Sequence, residues 1–430
     1  MNITRRSALM GLSLATAATL AACTGSSGSG SGGSSSNASS GSGKLSGKIS
    51  FQTWSLKNDK FTPYFEDLIK AFEKENPGTT IDWVDQPGDG YEEKVLQQAN
   101  SSELPDVVNL PEGFAYKLAQ VQKIIDLKAA NAKVLGDYVQ GGLDAYTYDG
   151  MDGTYGYPWY LGTDVCWWNT DMLKKAGLDV ADAPTDLDGY FEWCKMAAGT
   201  DVYLASSMPG LTEIKNYGVD VFDGEKFTFN TDKAVELVDK YAELYKAGAM
   251  PSEVLNDDYA GNATMYTQAK VGYTTATGSF VTQLENDAPK LVDTTDCSAR
   301  FTTPPLYIQG ISVAAESKNP DLALAFAQYV TNNANQVAFV KLAQGFMPGT
   351  KEGNENPDSF TGEIDNDLMK KAMDLAAEAM PKAEMIKPIQ YTDDMQTYVQ
   401  QQIALALKGS ASSKDALDTA VKYCNDNLSA

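Results

Sequence analysis

Apolar residues follow two different periods in the first hundred residues of the mature chain. They alternate with polar residues over 48–54, which predicts a buried strand, and segments 80–84 and 107–110 predict two more strands. Between the first two strands the apolar residues recur at helical spacing, which predicts a helix, and segment 91–100 predicts another helix before the third strand. The residues that carry the first helical repeat are Phe65, Leu68, Ile69 and Phe72. This order predicts an α/β fold with parallel strands joined by helices.

The predicted strand ends supply the first candidate site residues. In parallel sheets with covering helices, ligands bind beyond the carboxyl ends of the strands. We therefore expect ligand contacts from the residues that end or follow the three strands, namely Trp54, Gln86, Asn109 and Glu112.

The N-terminus resembles a lipoprotein signal peptide. Arg5 and Arg6 precede an uncharged run over 8–20, which is shorter than the roughly 20 residues of a membrane-spanning helix. Residues 20–23, Leu-Ala-Ala-Cys, follow at once and resemble a lipobox, so residues 1–23 are the predicted signal peptide and Cys23 the lipidated residue. An ordinary secretory signal with a chance cysteine is the alternative, and the choice between general and twin-arginine export stays open.

Residues 24–44 are almost entirely glycine and serine. Such a segment cannot bury apolar surface, so we expect a disordered tether. A lipidated cysteine followed by a tether predicts a globular body held on the extracytoplasmic face of the cell membrane, with two or more acyl chains as its anchor.

Charge and composition exclude several classes of protein. The formal net charge of −23 disfavours binding to nucleic acid, because phosphates would repel the body. The chain contains no histidine, which excludes Ser-His-Asp and Cys-His catalysis and histidine-based metal sites. No metal or other cofactor is expected. Four cysteines follow Cys23 without a CxxC spacing, so either a disulfide or isolated buried thiols fit: Cys166, Cys194, Cys297 and Cys424.

A series of segments along the mature chain resembles a known family. Their order and spacing are similar to those of the family 1 extracellular solute-binding proteins, the maltodextrin-binding-like receptors of ABC importers. The segments are 49–54 (ISFQTW), 71–80 (AFEKENPGTT), 104–109 (LPDVVN), 155–169 (YGYPWYLGTDVCWWN), 170–179 (TDMLKKAGLD), 183–191 (APTDLDGYF), 270–280 (KVGYTTATGSF), 310–328 (GISVAAESKNPDLALAFAQ) and 345–349 (GFMPG).

The resemblance implies a two-lobed, periplasmic-binding-protein-like fold with the ligand cleft between the lobes. One lobe would comprise 45–162 plus 309–331, and the other 163–308 plus 332–430. The chain would cross between them near three places, 162–164, 306–309 and 331–334.

The same resemblance implies a carbohydrate ligand, and sugar chemistry selects the site residues. The C–H face of a sugar stacks on aromatic rings, and its hydroxyls bind carboxylates and amides. Phe280 stands where the family commonly stacks a sugar. The predicted ligand-binding residues are Trp54, Gln86, Asn109, Glu112, Tyr160, Asp164, Phe280 and Phe346. The expected partners are a carbohydrate, with an oligosaccharide expected, and the permease subunits of an ABC transporter; the protein itself is expected to be a monomer and not an enzyme.

Three other functions fit parts of the sequence. A receptor for a polyamine or another non-sugar solute would suit an acidic cleft, whereas a single arginine after residue 6, Arg300, disfavours anionic ligands. An extracellular glycosidase would need two carboxylates, which are plentiful here. A surface adhesin is the third alternative.

The lipobox generates a direct prediction. Replacing Cys23 by alanine removes the thiol that would be acylated, so Cys23→Ala should either leave the membrane fraction or persist as an uncleaved precursor. Fractionation followed by immunoblotting measures both outcomes. A Cys23→Ala protein that is processed and membrane-bound like the parent would exclude lipid anchoring at this residue.

Overall fold

The computed structural model describes residues 44–256 and 259–428, so the predicted signal peptide, Cys23 and nearly all of the tether lie outside the described residues. Within the described ranges the strands are β1 (Gly47–Trp54), β2 (Thr79–Gln86), β3 (Val107–Pro111), β4 (Tyr157–Gly162), β5 (Val165–Asn169), β6 (Tyr273–Ala276), β7 (Thr295–Ser298), β8 (Tyr307–Val313) and β9 (Met347–Pro348).

Helices connect and cover these strands. They are α1 (Thr62–Glu75), α2 (Tyr91–Asn100), α3 (Glu112–Gln120), α4 (Leu127–Leu135), α5 (Gln140–Asp144), α6 (Thr170–Lys175), α7 (Leu187–Ala198), α8 (Leu211–Asn216), α9 (Asp232–Lys246), α10 (Tyr259–Thr267), α11 (Phe280–Asp287), α12 (Pro289–Val292), α13 (Pro320–Val330), α14 (Asn333–Leu342), α15 (Lys351–Glu355), α16 (Asp358–Thr361), α17 (Asp367–Ala379), α18 (Asp393–Leu407) and α19 (Ser413–Asp426). Short 3₁₀ turns lie at Val180–Asp182, Ser252–Asn256 and Met380–Lys382. The part of the chain that the structure describes contains no helix long and apolar enough to cross a membrane.

Two sheets organise the strands, which confirms the α/β class. The larger sheet has six strands in the order β2-β1-β3-β8-β4-β9. Its first three strands are parallel, as the strand–helix–strand pattern predicted, and β8 runs antiparallel to both β3 and β4. The smaller sheet is antiparallel, with β5 between β6 and β7.

Both faces of β1 are buried, one by aromatic packing and the other by hydrogen-bonded amides. Phe51 packs its ring against Phe65 of α1 at 6.1 Å and Phe326 of α13 at 5.3 Å between centroids. On the opposite face Gln52 exchanges two hydrogen bonds with Gln98 of α2, at 3.2 and 2.9 Å. The alternating pattern of β1 therefore reflects an apolar layer on one side and a paired amide layer on the other, since buried polar groups need partners.

The smaller sheet encloses two adjacent tryptophans of β5. Trp167 and Trp168 are both fully buried, and each indole nitrogen has an acceptor, the Ala276 carbonyl at 3.0 Å and the Ser298 hydroxyl at 2.9 Å. Both tryptophans therefore belong to the core, one on each face of β5. The four described cysteines are buried free thiols, which decides between the two alternatives left open by the sequence.

The chain passes between the sheets at three places. Residues 163–164 join β4 to β5, and residues 299–306 join β7 to β8. The third passage lies near 362–366, because α16 packs on α14 whereas α17 packs on β5 and β7.

The third passage differs from the boundary expected at 331–334. Residues 333–355 pack on the larger sheet: Phe339 of α14 contacts Trp159 of β4 at 4.7 Å, and Met347 pairs with Leu161. The break at 331–334 is a turn between two helices, where the Asn332 side chain accepts from the Asn335 amide and caps α14.

The packing of α14 predicts the effect of shortening Phe339, which is 1% exposed. Phe339→Ala should lower the free energy of unfolding by about 3–5 kcal/mol, because it leaves a cavity against the larger sheet. Leu342→Ala on the same helix is the control, and since Leu342 is partly exposed it should cost less than about 1 kcal/mol. Urea unfolding measures both, and equal small losses would contradict the assignment of α14 to the core of the larger sheet.

Candidate ligand-binding cleft

A cleft of about 1120 Å³ opens between the two sheets. The elements around the larger sheet line it with Trp54, Glu112, Phe114, Tyr148, Tyr160, Gln309 and Phe346. Those around the smaller sheet contribute Tyr190, Met208, Phe222, Tyr241, Tyr273, Phe301 and the residues 385–393. Asp164, Arg300 and Tyr307 line it where the chain passes between the sheets. Aromatic rings and polar groups therefore meet from both sides.

Trp54 is held in a stack of aromatic rings at the carboxyl end of β1. Its ring lies parallel to that of Tyr91, at 5.1 Å and 2°, and next to Phe114 at 5.9 Å and 29°. Tyr91 is buried whereas Trp54 is half-buried, so part of the Trp54 ring stays accessible in the cleft. A ring fixed in this way can bind an apolar face without losing side-chain entropy.

Tyrosine hydroxyls satisfy the backbone at the end of β3. Carbonyl oxygens at a strand end lack ladder partners and need another donor when they are buried. Tyrosine hydroxyls supply such donors here: Tyr91 donates to the Asn109 carbonyl at 2.8 Å and Tyr146 to the Leu110 carbonyl at 2.6 Å, and Tyr148 donates to the carbonyl of Glu112, which begins α3, at 2.8 Å. These bonds fix the backbone from which the Glu112 side chain projects.

The Glu112 carboxyl group is desolvated in the cleft wall. Glu112 is the first residue of α3, and its burial raises the pKa of the carboxyl above the ordinary value of 4.5. Among the described residues no side chain donates a hydrogen bond to this carboxylate or pairs with it. The group is therefore available to accept hydrogen bonds from a ligand.

Asp164 is engaged within the passage between the sheets. Its carboxylate accepts a hydrogen bond from the Tyr307 hydroxyl at 3.0 Å and lies 3.6 Å from Nη1 of Arg300. The Arg300 guanidinium also donates to Thr302, and both charged side chains are buried. Asp164 therefore shapes the passage as well as lining the cleft.

Tyr160 and Phe346 form a second aromatic contact near the passage. Their rings are 5.1 Å apart in an edge-to-face arrangement, and the Phe346 ring lies against Gly162, where an added Cβ would come within 3.3 Å of it. Burial raises the pKa of Tyr160, which keeps its hydroxyl protonated and able to donate.

The structure brings together five of the eight predicted ligand-binding residues. The five that line the cleft are Trp54, Glu112, Tyr160, Asp164 and Phe346. Their contact with a ligand stays a prediction.

The other three predicted residues lie outside the lining. Phe280 is a core residue, 2% exposed, because as the first residue of α11 it packs its ring between Trp167 and Tyr266. Asn109 is fully buried within β3, and Gln86 is half-buried at the end of β2.

Several lining residues were not predicted from the sequence. Phe301 and Tyr391 lie in irregular segments where no periodicity marks them, and Gln309 lies in the segment expected to cross between the lobes. Their proximity to Trp54 and Glu112 depends on long-range chain passage. The described residues contain no group of acidic or cysteine side chains arranged to hold a metal ion.

Comparison with known proteins defines the family. A family model described as "Bacterial extracellular solute-binding protein" matches residues 67–370, more than half of the chain. The chain belongs to this family. The maltodextrin-binding protein of Bacillus subtilis is 24% identical over 346 residues, 73% of this chain and 76% of the relative. A protein of Escherichia coli with the provisional name ABC transporter periplasmic-binding protein is 32% identical over 145 residues, 32% of each chain.

Solved structures share the fold of this solute-binding protein. A protein of Synechococcus sp. MITs9220, provisionally named an oligosaccharide periplasmic-binding protein, superimposes with a TM-score of 0.78 at 23% identity, over 88% of this chain and 98% of that one. This likeness confirms the two-lobed, periplasmic-binding-protein-like fold that the sequence segments implied.

The raised pKa of Glu112 predicts how stability depends on pH. The folded state binds this proton more tightly than the unfolded chain does, so the associated stability is present below the unfolded pKa and is lost as the pH rises through the raised folded pKa. Glu112→Gln, which cannot ionise, should therefore raise the melting temperature of this solute-binding protein at pH 7, and the gain should vanish below roughly pH 4.

Glu243→Gln is the matched control, because Glu243 is an exposed residue of α9. Calorimetric melting at pH 7 and pH 4 should show little change for it at either pH. A Glu112→Gln gain of the same size at both values would contradict the desolvated carboxylate.

Proposed function

We propose that this protein is the lipid-anchored receptor of an ABC importer, and that it binds an uncharged oligosaccharide in the cleft between its sheets. The observation that carries the proposal is the combination of fixed aromatic rings and an unpaired carboxylate in one cleft, Trp54 and Phe114 beside Glu112. An aromatic ring binds the C–H face of a sugar, and a carboxylate accepts its hydroxyl protons.

The size of the cleft supports a ligand longer than one sugar unit. Its volume of about 1120 Å³ exceeds the range of roughly 300–1,000 Å³ that is typical of sites for drug-sized ligands. Relatives support the same class, since the Bacillus subtilis protein is named for maltodextrin and the Synechococcus protein for oligosaccharide.

The charges of the cleft support an uncharged ligand. Each cationic side chain of the described lining is already engaged: Lys117 pairs with Glu92, Arg300 with Asp164, and Lys387 donates to Gln396. Glu112 has no such partner, so an anionic sugar would meet an uncompensated negative charge. The same argument leaves a polyamine as the second candidate, because a cation could pair with Glu112.

The three passages between the sheets support closure of the cleft around the ligand. Lining residues come from both sheets, so a bound oligosaccharide would contact both sides at once. A ligand that makes better contacts in the closed arrangement shifts the population towards it. The closed arrangement would then be what the permease subunits recognise, and no turnover of the sugar is part of the proposal.

A panel of ligands tests the proposal. Maltotriose, cellotriose, arabinotriose, xylotriose, galacturonic acid trimer and spermidine are compared by thermal shift on the mature protein. One uncharged trisaccharide should raise the melting temperature, since a ligand at 100 times its dissociation constant stabilises by about 2.7 kcal/mol. A shift with spermidine alone would support the polyamine receptor, and a shift with the galacturonic acid trimer alone would refute the charge argument.

The aromatic stack generates the mutational prediction. Trp54→Ala should weaken binding of the trisaccharide that shifts most by roughly 1 kcal/mol or more, about fivefold in affinity, because it removes the ring surface. Phe280→Leu is the control, since Phe280 lies in the core and its truncation should leave affinity unchanged. Isothermal calorimetry on folded samples measures both, and the opposite ranking would place the sugar-binding surface elsewhere.

A further inference from the structure

A hydrogen-bonded pair of amides lies at the edge of the cleft. Asn109 of β3 is fully buried, and its Nδ2 donates to Oε1 of Gln309 at 2.9 Å and to the Gly310 carbonyl at 3.3 Å. Gln309 of β8 is half-buried and lines the cleft. Gln309 therefore connects the buried amide of Asn109 to the cleft.

The Gly310 carbonyl determines how both amides are oriented. A carbonyl oxygen can only accept, so the group of Asn109 that faces it must be the NH₂ group. The same NH₂ group then meets Gln309, which must present its own oxygen in return. The Nε2 group of Gln309, with two N–H donors, is left on the other side, and no described residue accepts from it.

This orientation has an energetic cost in the free protein. Oδ1 of Asn109 is buried and has no hydrogen-bond partner among the described residues. An unsatisfied buried acceptor lowers the stability of the folded state, because it has lost its hydrogen bonds to water. An apolar side chain of similar shape at position 109 would avoid that cost but would not orient Gln309.

We propose that Asn109 is a positioning residue and that it holds Gln309 so that the Gln309 amide N–H groups donate to an acceptor oxygen of the bound carbohydrate. The inference rests on the proposed function and adds a specificity-determining residue to it.

The register of the sheet places this donor beside the groups already described. Gln309 pairs with Pro111 on β3, the residue before Glu112, and with Tyr160 on β4. Glu112 accepts hydrogen bonds when ionised, whereas the free Gln309 amide donates. Neighbouring donor and acceptor groups fit adjacent sugar hydroxyls, and Gln309 can also bind a ring or glycosidic oxygen, which only accepts.

Two substitutions separate positioning from a structural role. Gln309→Ala removes the donor and should weaken binding of the best trisaccharide among maltotriose, cellotriose, arabinotriose and xylotriose roughly fivefold to tenfold. Asn109→Leu keeps the branched shape, removes the orphaned oxygen and frees Gln309 to rotate. It should weaken binding to a similar degree without lowering the melting temperature, and Gln86→Ala, an amide outside the cleft lining, should leave affinity unchanged.

The double variant decides whether Asn109 acts through Gln309. If it does, adding Asn109→Leu to Gln309→Ala should weaken binding no further than Gln309→Ala alone, because the group that it orients is gone. If calorimetry shows that the affinity losses of the two single variants multiply in the double variant, the positioning role is overturned. Should Asn109→Leu not fold, unchanged affinity in Gln309→Ala alone would overturn the inference. If none of the four trisaccharides binds the parent protein, the proposed function fails and this inference fails with it.

Discussion

The buried ion pair between Asp164 and Arg300 links two of the three segments by which the chain passes between the two sheets. Asp164 lies where the chain leaves the larger sheet, and Arg300 lies where it returns. Removing either charge would leave the other buried without compensation, which is far more costly than losing an exposed pair. The Tyr307 hydroxyl adds a neutral donor to Asp164, so the two connecting segments are held side by side at the base of the cleft.

The walls of the cleft follow from the way strand ends are satisfied. Parallel strands that stop at one edge leave carbonyl groups without partners in the sheet. At the end of β3 and the start of α3, tyrosine hydroxyls donate hydrogen bonds to these carbonyls. Large rings therefore surround the end of β3 and desolvate the half-buried Glu112, and this burial raises the pKa of its carboxyl. The aromatic surface of the cleft and the desolvated carboxylate of Glu112 therefore have the same cause, the tyrosines that donate to the backbone at the end of β3.

Local pattern predicted the first three strands and the residues at the ends of β1 and β3, because strand period and strand-end position are properties of neighbouring residues. Trp54 and Glu112 were located in this way. Asn109 was not, since β3 extends to Pro111 and turns the asparagine inward. Phe280 was assigned by resemblance, but its helix faces the core. The passage near 362–366 depends on which sheet α14 packs against, and that is decided by contacts with residues far away in the sequence.

The free receptor carries polar groups that its own structure does not satisfy. Among the described residues the desolvated Glu112 carboxylate has no side-chain partner, and the Asn109–Gln309 pair leaves one oxygen buried and one NH₂ group unused. Such costs oppose folding, and they persist where function requires them. Under the proposed mode of binding they would also favour the ligand, because a hydroxyl that donates to Glu112 and accepts from Gln309 would meet groups already held in place and would lose little entropy. The same proposal implies selectivity, because a solute lacking either the donor or the acceptor would leave a polar group of the cleft unpaired.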